Sequence, residues 1–313
     1  MQYAIVQSMK NFNHSLAILF LTTMPTLVGY HLPIINLGQS NMLDGGPLRT
    51  KPGLYWKEYV HYYGSDKFLD GNGKRLGGIA SPHFDSIVLI TQLIYQLHKK
   101  VLSGHPGFNF FQPLVLYSHV DQNTLGIKTS GSGLGDFIIG IYQQFDPVMH
   151  HGKPIFMNRI ELTLSFPTGK NQQPNKNINP GNRVFFINPY WAATLHFTVD
   201  WAISWRLHYL WSSKNHATQI QAGDAVHLNY DMEYQLLPKL WIGVVGYFLQ
   251  QLSNSVLHGN SISGSRERVL GIGPGILYTF GDGYRLSSYF YSETLVKSRP
   301  QGIRFVARLI KHF

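Results

Sequence analysis

The sequence predicts an all-β protein, an antiparallel β-barrel of about twelve strands that closes on itself and spans a membrane. Three observations predict it. Apolar and polar residues alternate with a period of two along many segments of roughly 10–14 residues, longer than the ~5–6 of an ordinary strand and enough to cross a bilayer at a tilt. Charged residues make up 13% of the 313, about half the usual ~25%. Mean hydropathy is nevertheless only −0.09, because Gly, Ser, Asn, Gln and Tyr carry the missing polarity. Aromatics are abundant (Phe 19, Tyr 18, Trp 6), as aromatic girdles require.

The same arithmetic excludes other classes. With no cysteine, the chain is neither a disulfide scaffold nor a thiolate-ligated metalloprotein. After residue 30 no apolar run approaches the ~18–20 residues of a spanning helix, and the longest is Leu240–Leu249. The formal charge of +10 is spread over singles and pairs such as Lys99–Lys100 and Arg266 with Arg268. That pattern suits an anion-facing or lipid-phosphate-facing surface and lacks the basic stripe of a nucleic-acid protein.

The elements follow in order. Residues 1–30 hold one charge, Lys10, then an apolar stretch from Leu16 to Val28, the layout of a secretory signal with Met9 available as a start and a mature start near Gly29–His31. Residues 31–52, with Pro33, Pro47 and Pro52, read as an extended N-terminal segment lying in the periplasm or tucked into the lumen. The barrel occupies 53–313. Its clearest strand is Val226–Leu236, where Val226, Leu228, Tyr230, Met232, Tyr234 and Leu236 alternate with His227, Asn229, Asp231, Glu233 and Gln235. In 201–211 the apolar face is Trp201, Ile203, Trp205, Leu207, Tyr209 and Trp211, with tryptophan at both ends as two girdles would place it. Noisier segments span about 54–65, 84–97, 108–120, 134–145, 155–166, 184–197, 239–251, 266–280, 284–295 and 302–313, and turn signals such as Asp70-Gly71-Asn72-Gly73 and Gly281-Asp282-Gly283 separate them. Closure should pair the first and last strands, since an open edge in hydrocarbon strands backbone groups at several kcal/mol each. The last strand ends on Phe313 in register with the outward face, an expected signal for the barrel-assembly machinery. Lys311 falls on the same outward parity, at a cost of only ~0–1 kcal/mol near the interface.

Strand parity nominates a lumen set: Lys57, His61, Arg159, Glu161, Arg206, His208, His227, Asp231, Glu233, Glu267, Arg304 and Arg308. Both signs occur, so the interior should be a mixed polar network that either sets selectivity or plugs a narrow barrel. Fifteen histidines raise a metal or hydrolase reading, but His150-His151 sits in a turn-like segment and His105 and His258 in loops, with no metal-binding spacing. Ser118-His119 and Ser204 with His208 are the only hints of a lipid hydrolase. Gly131-Ser132-Gly133-Leu134-Gly135 and Pro167-Thr168-Gly169-Lys170 superficially suggest phosphate loops, yet no helix follows and both read as hairpin turns. No catalytic residue, metal site or cofactor is expected.

Blocks along nearly the whole mature chain carry a family resemblance. They include Asn36-Leu37-Gly38, Asp44-Gly45-Gly46-Pro47, Pro52-Gly53-Leu54-Tyr55, Asp66-Lys67-Phe68-Leu69-Asp70-Gly71-Asn72-Gly73, Gly133-Leu134-Gly135-Asp136, Pro167-Thr168-Gly169, Asn179-Pro180-Gly181, Asn188-Pro189-Tyr190-Trp191-Ala192 and Gly264-Ser265-Arg266-Glu267-Arg268. Over about 34–313 the chain resembles the bacterial family named after the meta-cleavage pathway of phenol degradation. The resemblance implies a signal-bearing outer-membrane barrel associated with aromatic catabolism, and no residue-level binding site comes with it. The expectation is passive passage of small hydrophobic or aromatic molecules through a mouth rich in Tyr and Trp, with outer-membrane lipids and the assembly machinery as partners and no nucleic acid. A closed structural or lipid-interacting barrel, an outer-membrane lipid hydrolase and a soluble periplasmic β-protein are the alternatives.

Overall fold

A computed structural model of the chain describes residues 32–33, 35–43, 51–76, 83–120, 128–129, 131–171 and 177–313. The signal expected over 1–30 lies outside them.

Twelve long strands form one closed antiparallel barrel. They are β1 (Gly53–Phe68), β2 (Phe84–Gln96), β3 (Gly104–Val120), β4 (Phe137–Phe145), β5 (Lys153–Phe166), β6 (Phe186–His196), β7 (Trp201–Ser212), β8 (Ala225–Leu237), β9 (Leu240–Gln251), β10 (Arg268–Thr279), β11 (Tyr284–Lys297) and β12 (Pro300–His312). Each pairs with its sequence neighbours. β1 closes the ring by pairing β12 from Tyr55 opposite His312 to Phe68 opposite Pro300. The Phe313 amide continues that ladder onto the Leu54 carbonyl at 3.0 Å. His105 belongs to β3 rather than to a loop, because the β3–β4 ladder starts at Gly104 opposite Phe145.

Alternation inverts the soluble pattern. On β8, Glu233 is fully buried while neighbouring Met232 is 47% exposed, and on β1 the inward Tyr59, His61 and Tyr63 are buried while Leu54 and Val60 are exposed. Polar groups inside and apolar groups outside require a hydrocarbon exterior, since several hundred Å² of contiguous apolar surface is not stable in water. The connections differ by end. One end has the short links 97–103, 146–152, 197–200, 238–239 and 280–283, and the other the long ones 69–83, 121–136, 167–185, 213–224 and 252–267, plus the tight 298–299. By the usual asymmetry of membrane barrels the short links face the periplasm and the long ones the outside. At the short-link end Trp201 packs on Phe197 and on Tyr234, at 6.3 and 4.9 Å between centroids, which is an aromatic girdle. The outward Lys311 lays its ammonium 4.0 Å from the Tyr284 ring centre, which covers the charge at this boundary.

The two glycine-rich signals prove not to be hairpin turns. They lie in different long loops that knot together around one buried carboxylate. Asp136 accepts the Gly169 amide at 2.9 Å and the Asn182 amide at 2.7 Å. Any side chain at Gly169 or Gly181 would meet the opposing backbone within 2.7 Å, so glycine is what allows the loops to touch. Desolvation raises the Asp136 carboxyl above the usual carboxylate range.

Candidate functional site

Residues 32–33 and 35–43 lie in the lumen and hang on one wall, β8–β12. The Gly38 amide donates to Asn229 Oδ1 (2.9 Å), Met42 to Asp231 Oδ2 (2.8 Å) and Leu43 to Glu233 Oε1 (3.0 Å), while Leu32 reaches Glu267 Oε1 (3.0 Å) in the outer loop. The wall donates in return. Arg304 Nη1 bonds the Leu37 carbonyl at 3.0 Å, Arg308 Nη2 the Asn41 carbonyl at 2.9 Å, Tyr289 the same carbonyl at 2.5 Å, and Tyr291 the Gly38 carbonyl at 2.8 Å. Gly38 adopts φ +71° and sits where a Cβ would lie 2.7–2.8 Å from the rings of Tyr247 and Tyr291. An irregular segment can lie at membrane depth only because the barrel supplies its missing backbone partners. Behind it, Glu293 accepts from Tyr63 (2.9 Å), Tyr247 (2.7 Å) and the Gly302 amide (2.9 Å) and lies 3.8 Å from Arg304.

The opposite wall, β1–β7, stands clear of this plug. Between them lies a cavity of about 110 Å³, bounded on the plug side by Ile35, Asn36, Gln39 and Ser40. Its outer half carries the apolar Val88, Ile90, Phe111, Val115, Ile138 and Phe186, with the polar Asp136, Ser165 and Asn182 beside them. Its floor, deeper toward the periplasm, carries Lys57, Gln92, Arg159, Tyr190, Arg206 and His208. A second cavity of about 80 Å³ continues below, sharing Lys57, Arg159 and Arg206 and adding Arg285 and Arg308. No Asp or Glu lines this lower cavity among the described residues. Glu161 sits behind the shared floor, held by Arg159 (2.5 Å), Tyr190 (2.5 Å) and Asn109 (2.6 Å), and it also feels Arg206 electrostatically.

The structure sorts the lumen residues nominated by parity into two groups. Asp231, Glu233, Glu267, Arg304 and Arg308 serve the plug, and His61 joins them through a 3.1 Å contact between its Nε2 and Arg304. Lys57, Arg159, Arg206 and His208 line the cavity, as His61 also does, with Glu161 and His227 behind them. Parity missed Glu293 although Tyr289, Tyr291 and Glu293 share one face of β11. It also missed Asn188 and Tyr190, which lie in the Asn188-Pro189-Tyr190 block. Pro189 has no amide hydrogen, and the β6–β7 ladder skips from Ile187–Trp211 to Tyr190–His208 there. The expected Tyr and Trp mouth is a Tyr and Phe one, because no tryptophan lines the upper cavity. Trp191, Trp201 and Trp205 instead face outward, where indoles anchor a barrel in lipid. No cluster of three metal-ligating side chains occurs among the described residues. Ser204 Oγ donates to Glu233 Oε1 at 3.0 Å and pairs with Thr194, an arrangement that serves the wall network.

A closed, outward-apolar barrel with an internal plug and a side cavity defines a membrane β-barrel of the outer-membrane class. A sequence model of the family described as "Putative MetA-pathway of phenol degradation" matches residues 65–309, and the chain belongs to that family. A search of curated proteins returns no match. Among solved structures, the COG4313 outer membrane channel from Pseudomonas putida F1 is similar in fold, with TM-score 0.74 at 15% identity over 87% of this chain and 100% of that one. The CymD monoaromatic hydrocarbon channel aligns at TM-score 0.45 and 10% identity over 84% of this chain and 89% of that one. The β domain of the Bordetella autotransporter BrkA aligns at 0.47 and 11% over 84% and 100%.

Proposed function

We propose that the protein is a passive outer-membrane channel for small hydrophobic or aromatic compounds. The observation that carries this reading is the cavity between the plug and β1–β7, lined largely by apolar side chains with a few polar groups and continued toward the periplasm by a second cavity. Concave, mostly apolar space with a few convergent polar groups is what a small-molecule pathway requires. Aromatic side chains there offer stacking surface without a covalent step, so no enzymatic activity is part of the reading. The outward face takes outer-membrane lipids as its partner, Phe313 serves the assembly machinery, and residues 1–30 are the export signal. The test is permeation of phenol, toluene and glucose into liposomes carrying refolded protein. Entrance of the aromatics above the protein-free rate, with glucose excluded, is the expected result. The plug favours a second reading, a closed structural barrel, which predicts that no solute crosses although the protein is folded.

A further inference from the structure

One sector of the outer rim carries positive charge that passage through the lumen does not use. In the block Gly264-Ser265-Arg266-Glu267-Arg268, which leads into β10, side chains alternate between the two faces of the wall. Glu267 is fully buried and turns inward to the Leu32 amide and to Arg299, while Arg266 is exposed and Arg268 shares the outward parity of Leu270 and Ile272. Across the β10–β11 ladder Arg268 stands directly opposite Lys297, so both cations point to the outward face. Like charges in directly opposed positions repel, and an anion between them removes the penalty. The two arginines are tethered by one nitrogen each: Arg268 Nε donates to the Leu295 carbonyl at 2.9 Å and Arg266 Nε to Asn254 Oδ1 at 3.0 Å. Their terminal nitrogens and the Lys297 ammonium have no hydrogen-bond or ion-pair partner among the described residues.

The acids of this rim are placed elsewhere. Asp70 turns its carboxylate into its own loop, onto the amides of Asn72 and Lys74 at 2.9 Å each. Asp224 accepts from the Tyr209 hydroxyl at 2.7 Å, and Asp85 holds Tyr62 at 2.8 Å together with His83. Asp66 is exposed on the β1 bulge, two strands and about 10 Å across the sheet from β11. Below Arg268 and Lys297 the outward face changes in steps of two residues, about 7 Å each. Leu270 opposes Thr294, Ile272 opposes Ser292, and Phe290 follows on β11. The Thr294 and Ser292 side chains are exposed, and their hydroxyls bond nothing among the described residues. A hydroxyl aimed at lipid needs an acceptor that hydrocarbon does not supply. Ile272 and Phe290 are 45% and 41% exposed and begin the apolar belt. Cations, then hydroxyls, then apolar groups descend from the rim in the order of an anionic head, a carbonyl-bearing linkage and acyl chains.

We infer that the outward face of β10–β11 is a binding site for a phosphorylated, acylated glycolipid of the outer leaflet, of the lipid A class. Its phosphate sits between Arg268 and Lys297 with Arg266 above, its linkage carbonyls accept from Thr294 and Ser292, and its acyl chains lie on Leu270, Ile272 and Phe290. A guanidinium suits this head because it meets a phosphate through two parallel hydrogen bonds. The long links at this end place the patch in the outer leaflet. The inference rests on the proposed lipid-facing exterior and names the lipid that one sector of it holds.

The test is native mass spectrometry of the refolded, detergent-solubilised full chain titrated with diphosphoryl lipid A, its dephosphorylated form and phosphatidylglycerol, with inorganic phosphate as competitor. Diphosphoryl lipid A should bind about tenfold or more tighter than either other lipid and resist displacement by inorganic phosphate. Arg268→Gln combined with Lys297→Gln should erase that preference, whereas Lys311→Gln, outward at the opposite rim, should keep it. Equal binding of the phosphorylated and dephosphorylated lipids by the wild type, which needs no variant to fold, would overturn the inference. Phosphatidylglycerol binding as tightly as lipid A would also overturn it, by reducing the site to a general anionic surface, and displacement by inorganic phosphate would do so by making the ligand free phosphate. So would a preference that survives the double substitution in a barrel shown folded by heat-modifiable migration. The two readings fail separately: aromatics that enter liposomes through a barrel with no lipid A preference sink this inference alone, while protein that leaves membranes without detergent removes the lipid-facing exterior itself.

Discussion

The two walls of the barrel use the same residue types for opposite ends. On β8–β12 seven inward groups close on the N-terminal segment: Asn229, Asp231 and Glu233 take its amides, while Tyr289, Tyr291, Arg304 and Arg308 take its carbonyls. On β1–β7 the arginines, tyrosines and histidines form a floor under an apolar chamber. A buried charge must be matched, and the difference lies in what matches it. One wall is matched by backbone of the same chain, so its polarity becomes structure. The other is matched within itself, Glu161 by Arg159, Tyr190 and Asn109 and Gln92 by Tyr59 and Asn109, and its inner surface borders the cavity.

Removing the plug is the most direct way to break this contrast. Deletion of residues 32–43 should raise single-channel conductance several-fold in planar bilayers, and unchanged conductance would mean that the segment does not obstruct the lumen. Next in size, Arg308→Ala leaves the Asn41 carbonyl and the neighbouring carboxylates without their cation. Breaking a buried charged contact by removing one partner costs about 3–5 kcal/mol. Urea unfolding followed by tryptophan fluorescence should show a loss of that order, and a change below about 1 kcal/mol would place Arg308 outside the wall that holds the plug.

Gly38→Ala is a subtler probe of the same contact. Its Cβ would meet the Tyr247 and Tyr291 rings at 2.7–2.8 Å from a positive φ, which predicts a destabilisation of about 1–3 kcal/mol and a noisier channel as the segment lifts off its shelf. On the other wall the relation between function and stability should reverse. Ile138→Trp fills the chamber, so aromatic permeation should fall at least about tenfold while the unfolding free energy moves by no more than ~1–3 kcal/mol. If stability collapses instead, the space is packed core.

The smallest effect concerns pH. The Asp136 carboxyl of the outer loop knot is raised by desolvation, so the folded state favours its protonated form relative to the unfolded chain. The sign follows: its contribution is fully present below the ordinary carboxylate pKa and is lost as pH rises through the raised folded value. Proteolysis of the 167–185 loop should be slightly slower at pH 4 than at pH 7 after correction for protease activity, and Asp136→Asn should remove that slope. An unchanged slope in the variant would assign it to other groups.

Much of the barrel was legible because a strand inside a membrane barrel repeats every two residues. His227, Asn229, Asp231 and Glu233 alternate with Val226, Leu228, Tyr230 and Met232, so one glance at parity separates lumen from lipid. The chain's own order also dictated the topology, since hairpins between neighbours and a last strand returning to the first leave no other economical closure. Parity says which way a side chain points and is silent on what it meets there. Whether Arg304 and Arg206, both inward, would grip a plug or floor a chamber depended on where residues 32–43 came to rest, some 190 to 270 positions earlier in the chain than their partners. The glycine blocks at 133–135, 167–169 and 179–181 were conspicuous in the sequence, yet their role as one knot around Asp136 appeared only when the loops were brought together.

The sequence by itself therefore determined the strand period, the strand number, the inward residue set and the aromatic exterior, all of which are local or periodic properties of the chain. Tertiary structure alone decided the plug's position, the division of the lumen into a wall that holds the plug and one that borders the cavity, and the loop knot around Asp136. These depend on single contacts between residues far apart in sequence, and no local pattern encodes the distance between them.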